Sequence, residues 1–267
     1  MPAIQPARLK IQVAQLAERF TDPPSFTIGL SDLFEFYADR TYRPGQAGDP
    51  PPLLKAYNVP TPVLRQVSKE LSKSIGANRE AALELGDALW AKPILEFRLL
   101  AAIILGQVAV QPLEDILDRV NAWAKPSTES RLIQALISDG LHLVRLDCPE
   151  QYLTQIEIWF AKGQPFYNHL GLQALLPLLE QVEFENLPAA LRMITPLVRH
   201  APTVLRPDLL AVIQRMAASS PKETAFFLRQ NLAIKEDNPG TPWLTRQSLV
   251  YFPVETRAVL RAALKEQ

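Results

Sequence analysis

A tryptophan-centred motif recurs along this chain at a nearly constant spacing. The tetrapeptide Trp-Ala-Lys-Pro occurs at Trp90–Pro93 and again at Trp123–Pro126, and a stretched form begins at Trp159. The three tryptophans are 33 and 36 residues apart, and each one closes an apolar segment with helical spacing. A period in this range is typical of stacked helix pairs, in which each unit packs on its neighbours. The motif therefore predicts a helical repeat protein, a solenoid.

The hydrophobic pattern predicts an all-α fold. Apolar residues recur at intervals of three and four along almost the whole chain, whereas strict alternation is rare. Most of the 24 prolines fall at the predicted joints, because proline suits the first turn of a helix and prevents the preceding helix from continuing. The predicted helices lie at 7–20, around 30–37, 61–75, 78–91, 94–108, 112–124, 128–144, 150–162, 166–182, 187–200, 206–218, 221–233 and 254–265, with a short turn near 243–250.

One segment rich in proline and glycine interrupts this pattern near the N-terminus. The segment 42–52 reads YRPGQAGDPPP, which predicts a loop. We expect residues 1–52 to form an N-terminal helical cap that ends in this loop. Residues 53–267 are expected to form the repeat solenoid, packed continuously with the cap.

Composition excludes several classes of protein. The 28 basic and 28 acidic residues cancel, so whole-chain charge gives no argument for nucleic acid or membrane binding. A single cysteine, Cys148, cannot form an internal disulfide, and one cysteine with three histidines argues against a structural zinc site. No signal peptide or membrane-length apolar stretch is visible. These features predict a cytoplasmic, monomeric protein with no metal, no other cofactor and no membrane association.

Three segments resemble a known family. Residues 59–71 (VPTPVLRQVSKEL) resemble the "G-V-P-x-P-x-L-R-x-x-A-K-E-L" helix of bacterial alkylpurine DNA glycosylase D and its relatives, the DNA alkylation repair proteins. Leu89-Trp90, followed by residues 96–102 (EFRLLAA), resembles that family's "L-W…E-x-R-x-x-A" repeat. Residues 222–229 (KETAFFLR) stand where the family has "K-x-x-x-W-x-L-R". The resemblance covers roughly residues 55–235.

This resemblance implies both a fold and an activity. The implied fold is a right-handed α-solenoid of HEAT-like helix pairs, whose concave basic face holds duplex DNA. Active members of the family excise cationic alkylated purines. A Trp-Asp-x-x-Asp segment supplies the carboxylate that stabilises positive charge on the sugar, and an Arg-Arg pair and a tryptophan complete the pocket.

The chain departs from the family at each of these pocket positions. Ser127 and Arg131 follow Trp123 where the two aspartates are expected. The Arg-Arg pair matches Asn168-His169, and the tryptophan of the third segment matches Phe226. A site without its carboxylate lacks the charge stabilisation that defines the chemistry, so we predict a divergent member without the family's glycosylase activity.

Two of these positions also have simpler structural interpretations. Trp123 belongs to the repeated motif, which favours packing between helices over a pocket role. His169 has an acid–base chemistry suited to neutral pH, but no carboxylate stands near it in the sequence to orient it. We therefore favour a histidine that is exposed or has its hydrogen bonds satisfied over one that acts as a general acid or base.

One stretch of the chain carries an excess of positive charge. Between Asn186 and Lys235, seven basic residues stand against only Asp208 and Glu223, a net charge of +5. The spacing places about one cation on each helix. These cations could form a stripe that binds phosphates, or they could be ordinary solvated side chains at helix ends. The candidate nucleic-acid-binding residues are Arg192, Arg199, Arg206, Lys222 and Arg229.

Three functional hypotheses follow. The first is a non-catalytic or weakly catalytic protein of the alkylation-repair type that grips the backbone of duplex DNA. The second is a scaffold that binds a protein partner on the concave face, since solenoids commonly do so. The third is an active glycosylase with a rebuilt site that uses Glu129, Asp139 or His169.

Overall fold

The computed structural model of the 267-residue chain describes residues 5–41, 53–181, 184, 186–234 and 238–266. Every regular element in these ranges is helical, which confirms the all-α prediction. The predicted loop at 42–52 lies outside the described residues. The α-helices are α1 (Pro6–Ala17), α2 (Pro23–Tyr37), α3 (Thr61–Ala77), α4 (Arg79–Trp90), α5 (Leu95–Leu105), α6 (Glu114–Trp123), α7 (Ser130–Ala135), α8 (His142–Asp147), α9 (Pro149–Ala161), α10 (Pro165–Leu179), α11 (Leu187–His200), α12 (Arg206–Ser219), α13 (Pro221–Ala233), α14 (Gly240–Ser248) and α15 (Val254–Lys265).

The chain divides into two compact units. The N-terminal unit comprises Met1–Pro149 and the C-terminal unit comprises Glu150–Gln267. The boundary between cap and solenoid was predicted at residue 52, within the N-terminal unit. This position lies outside the residues that the structure describes.

Helices in the N-terminal unit stack in two alternating rows. Helix α1 packs on α3, α3 on α5 and α5 on α7, while α2 packs on α4. Each of the helices α1 to α5 thus contacts a helix two positions along the chain as well as an immediate neighbour, as in a helical repeat. Fully buried apolar side chains fill the space between the rows, among them Phe34, Leu71, Leu85, Phe97 and Ile104.

The C-terminal unit repeats this arrangement. Helix α10 packs on α12 and α12 on α14, while α11 packs on α13 and α13 on α15. Leu172, Leu209, Met216 and Leu228, which lie on these helices, are buried, and so is Trp159 on α9.

Polar side chains pair between successive repeats, and the paired residues are separated in sequence by about the same number of residues as the tryptophans. In the N-terminal unit, Arg79 pairs with Asp115 at 2.6 Å and Arg119 with Asp87 at 2.8 Å, across 36 and 32 residues. In the C-terminal unit, the equivalent contacts join residues 35 apart: Arg192 with Glu157 and Arg215 with Glu180. A side chain therefore contacts residues about one repeat away, because equivalent helices lie side by side.

Two predicted elements differ from those observed. The helix predicted at 128–144 is divided into α7, a π-helical turn at Leu136–Gly140, and α8. At this turn the backbone of Asp139 lies close to Gly106. A Cβ atom added to Gly106 would stand 1.7 Å from the carbonyl oxygen of Asp139. The extra residue of the π turn lets the chain follow the surface of α5 at this contact. The short turn predicted near 243–250 is instead helix α14, followed by a 3₁₀ turn at Leu249–Tyr251.

Candidate functional site

The repeated tryptophans of the N-terminal unit pack on each other. Trp123 is 7 % exposed, and its ring stacks on Trp90 with centroids 4.6 Å apart and planes 7° from parallel. The guanidinium of Arg98 lies 5.3 Å from the centre of the Trp90 ring on α4. Stacking of the two indoles gives the first two copies of the motif a packing role, and the prediction that Trp123 packs between helices is confirmed.

The positions that follow Trp123 carry no carboxylate that faces a pocket. Ser127 and Arg131 are both exposed, Ser127 in the turn after α6 and Arg131 in the first turn of α7. The turn is closed by Thr128, whose hydroxyl donates to the carbonyl of Trp123 at 2.8 Å. Glu129 accepts a hydrogen bond from the backbone N–H of Leu53 at 3.1 Å, so it anchors the segment that enters α3.

The Glu-x-Arg segment at the start of α5 has a structural role. Glu96 is 4 % exposed and accepts hydrogen bonds from three successive backbone N–H groups, at 3.1 Å from Tyr57, 2.6 Å from Asn58 and 3.4 Å from Val59. The loop it holds includes Asn58 at a φ of 56°. A carboxylate in this position satisfies backbone donors that would otherwise be buried without partners.

Asp139, one of the carboxylates in the hypothesis of a rebuilt site, lies in the π turn. Partial burial raises the pKa of its carboxyl above the ordinary value, and the nearby charges of His142 and Arg145 oppose that rise. Arg145 is itself buried, and one of its guanidinium nitrogens lies 3.3 Å from Nδ1 of His142.

A histidine–aspartate pair occupies the surface of the C-terminal unit. Nδ1 of His169 on α10 lies 2.6 Å from Oδ2 of Asp208 in the first turn of α12. The other carboxylate oxygen of Asp208 accepts from Nε2 of Gln173 at 2.8 Å. The hydrogen bond to Asp208 raises the pKa of His169, partial burial opposes the rise, and the charge of Asp208 adds to it. Asn168, the other member of the matched pair, is buried at 8 % exposure.

This pair gives His169 the orienting carboxylate that the sequence around it lacks. Asp208 is 39 residues further along the chain, so proximity in sequence could not reveal it. The repeat period could have done so, because polar contacts in both units join residues that are 32–39 apart.

The basic candidates of α11 and α12 already have partners. Arg192 forms an exposed ion pair with Glu157, at 3.2 Å. Arg199 donates to the side-chain oxygen of Asn231 at 3.2 Å. Arg206 donates to a backbone carbonyl, and its guanidinium lies 4.2 Å from the centre of the Trp243 ring. These contacts hold the three arginines in defined orientations, and among the described residues only the pair of Arg192 involves a carboxylate.

Lys222, Phe226 and Arg229 form a different kind of cluster on α13. Their spacing of four and three residues places them on one side of the helix. Phe226 is 51 % exposed, and the guanidinium of Arg229 lies 5.5 Å from the centre of its ring. The three side chains line an open cavity of about 300 Å³ between α13 and α15, together with Glu255, Thr256 and Val259. We call these three residues the α13 cluster.

The candidates thus fall into separate groups. Lys222, Phe226 and Arg229 come together on α13, and His169 pairs with Asp208 between α10 and α12. Trp123, Ser127 and Arg131 belong to the N-terminal unit. Within the described residues, no group of three or more His, Cys, Asp or Glu side chains is arranged to hold a metal ion. None of the helices described is long and apolar enough to span a bilayer.

A family comparison agrees with the resemblance seen in the sequence motifs. The family model described as DNA alkylation repair enzyme matches residues 53–251, which is well over half of the chain. No curated protein and no solved structure matches the chain significantly. The matched range includes α3 to α14, and with them the Glu-x-Arg segment, the His169–Asp208 pair and the α13 cluster. The chain therefore belongs to the DNA alkylation repair enzyme family.

Proposed function

We propose that this protein binds the sugar–phosphate backbone of duplex DNA, as a non-catalytic or weakly catalytic relative of the HEAT-like alkylpurine DNA glycosylases. The observation that supports this most directly is the α13 cluster, in which two cations flank an exposed aromatic ring beside an open cavity. No described carboxylate forms an ion pair with Lys222 or Arg229, so both charges are available to phosphate. An exposed aromatic ring beside them suits contact with a sugar or an unstacked base.

The missing carboxylate supports the non-catalytic part of this proposal. Excision of an alkylated base requires negative charge near the sugar as the base leaves. Ser127 and Arg131, at the positions of the family's aspartates, supply none. Asp208 does not replace them readily, since His169 and Gln173 engage both of its oxygens.

The test is binding of a fluorescent duplex across a salt series, both with an intact duplex and with one that carries a stable abasic analogue. We expect affinity to fall steeply with salt, since phosphate contacts release counterions. The double substitution Lys222→Gln and Arg229→Gln should weaken binding about 100-fold at low salt, and should reduce the slope of log affinity against log salt by about 2.

A matched control distinguishes binding through the α13 cluster from a general effect of positive charge on DNA affinity. Arg215→Gln removes one positive charge from the same unit, but Arg215 already pairs with Glu180 at 2.5 Å. We therefore expect it to weaken binding less than Arg229→Gln alone. Equal losses for the two single variants would assign the binding to diffuse charge rather than to the α13 cluster. Absence of binding at low salt would exclude the DNA proposal.

The rival proposal is a protein-interaction scaffold. It is favoured by the groove between α13 and α15, where a second cavity of about 570 Å³ adjoins the first and is lined mainly by small and apolar side chains. Capture of a partner from lysate by the wild-type protein, lost on Ala262→Arg in this groove, would support it if no DNA binding is found.

The third proposal, a rebuilt glycosylase, has its own assay. Release of methylated purine from an alkylated duplex would be measured with the wild-type protein and with variants Glu129→Gln, Asp139→Asn and His169→Gln. Release abolished by one of these substitutions would favour a rebuilt site. Release at the uncatalysed rate would exclude the proposal.

A further inference from the structure

The imidazole of His169 is anchored at one ring nitrogen and open at the other. Nδ1 faces Asp208 at 2.6 Å, and the side chain keeps 34 % of its surface exposed while that of Asp208 keeps 13 %. Gln173 donates to the second oxygen of Asp208, so the carboxylate is held on two sides. No described residue forms a hydrogen bond with Nε2, on the opposite edge of the ring. This arrangement fixes the ring and leaves Nε2 directed away from the carboxylate, where it donates a hydrogen bond only when the imidazole is protonated.

We propose that His169 is a proton-linked phosphate ligand, which donates Nε2–H to a DNA phosphate oxygen while Asp208 holds the ring at Nδ1. This inference rests on the proposed binding of the DNA backbone. Asp208 acts as a positioning residue, because it contacts the histidine and not the phosphate.

Protonation changes the charge of the pair, and this makes the contact sensitive to pH. When the imidazole is protonated, the pair is neutral overall and presents a cationic donor to the ligand. When the imidazole loses its proton, the negative charge of Asp208 is no longer compensated, and it repels phosphate. Because Asp208 raises the pKa of His169, the binding-competent form extends above the ordinary histidine range.

The other charged groups on the packed elements have partners of their own. On α12, Arg206 lies over Trp243, and Arg215 pairs with Glu180 at the far end of α10. The 3₁₀ turn Thr203–Leu205, which also packs on α10, has no titratable side chain. Asp208 is accordingly the one described charge that acts on the pKa of His169.

The experiment measures the affinity for an intact duplex from pH 5.5 to 9 at constant ionic strength. For the wild-type protein we expect affinity to be highest at low pH and to fall about tenfold as pH rises through the pKa of His169, above about 6.5, as the loss of one charge-assisted contact predicts. His169→Arg should retain the high affinity across the range. His169→Gln should bind with the low affinity at every pH.

Asp208→Asn tests the positioning role separately. Without the carboxylate the pKa of His169 returns towards or below its ordinary value, so the midpoint of the affinity change should move to lower pH. The ring carbon resonances of His169 in the NMR spectrum of the wild type and of Asp208→Asn give the same pKa difference without DNA. His200→Gln is the control, since it removes another histidine of the same unit and should leave the pH profile unchanged.

The outcomes distinguish this inference from the function on which it rests. Binding of DNA that is independent of pH, or a pH dependence that survives in His169→Arg, would overturn the role of His169 and leave the proposed function standing. Absence of DNA binding at every pH would overturn both.

Discussion

Gly106→Ala is expected to destabilise the N-terminal unit by about 3 kcal/mol or more, at or beyond the upper end of the overpacking range. The added Cβ would stand 1.7 Å from the carbonyl oxygen of Asp139 and 2.7 Å from its carbonyl carbon. Both are backbone atoms of the π turn, so no side-chain rotation can relieve the clash. Either the turn or the end of α5 must move, and the buried residues between them lose contacts.

Thermal and chemical unfolding followed by circular dichroism would measure this loss. Gly76→Ala is the matched control, because an added Cβ at Gly76 meets no atom within 4 Å and the residue lies in the last turn of α3. In a helix, this change is expected to stabilise by up to about 1 kcal/mol. Similar stabilities for the two variants would show that the contact between α5 and the π turn is loose.

Glu96→Gln is expected to lower the free energy of unfolding by about 2–3 kcal/mol, the cost of a lost charge-assisted acceptor at a buried site. The carboxylate accepts from the N–H groups of Tyr57, Asn58 and Val59. An amide of the same shape has a single acceptor oxygen, and its NH₂ group would face backbone donors. The loop before α3 should therefore loosen first.

Unfolding curves and amide hydrogen exchange at residues 57–59 would measure this effect. Glu84→Gln provides the control, since Glu84 is an exposed carboxylate on the neighbouring helix α4. It should change stability by less than about 0.5 kcal/mol, as is usual for surface sites. Unchanged exchange at Asn58 in Glu96→Gln would contradict the role assigned to the carboxylate.

The helical architecture was predictable because it depends on local rules. Apolar spacing of three and four residues selects the helix, and prolines such as Pro165 and Pro221 stand at the helix starts where their missing N–H is not needed. The tryptophan period predicted the repeat, and the first two tryptophans, Trp90 and Trp123, stack on each other. The π turn was not predictable from the residues of α7 and α8, since the contact that it makes, with Gly106, is with the end of another helix.

The candidate site was predictable only in part. The motifs identified the positions to inspect, and residues such as Ser127 already indicated that the family's carboxylate is missing. The sequence could not distinguish Lys222 and Arg229, beside their open cavity, from Arg192, which pairs with Glu157. Spacing in sequence shows which residues share a helix, but not which neighbour they meet.

The all-α fold, the repeat period and the family could be predicted from the residues alone, since each depends on residue types at fixed spacings along one chain. The contact of Asp208 with His169 across 39 residues, and the hold of Glu96 on the loop before α3, emerge only from the folded arrangement of the helices. These contacts depend on how successive helices stack side by side. Directed hydrogen bonds form between residues distant in sequence only after burial of the apolar faces has placed them within reach.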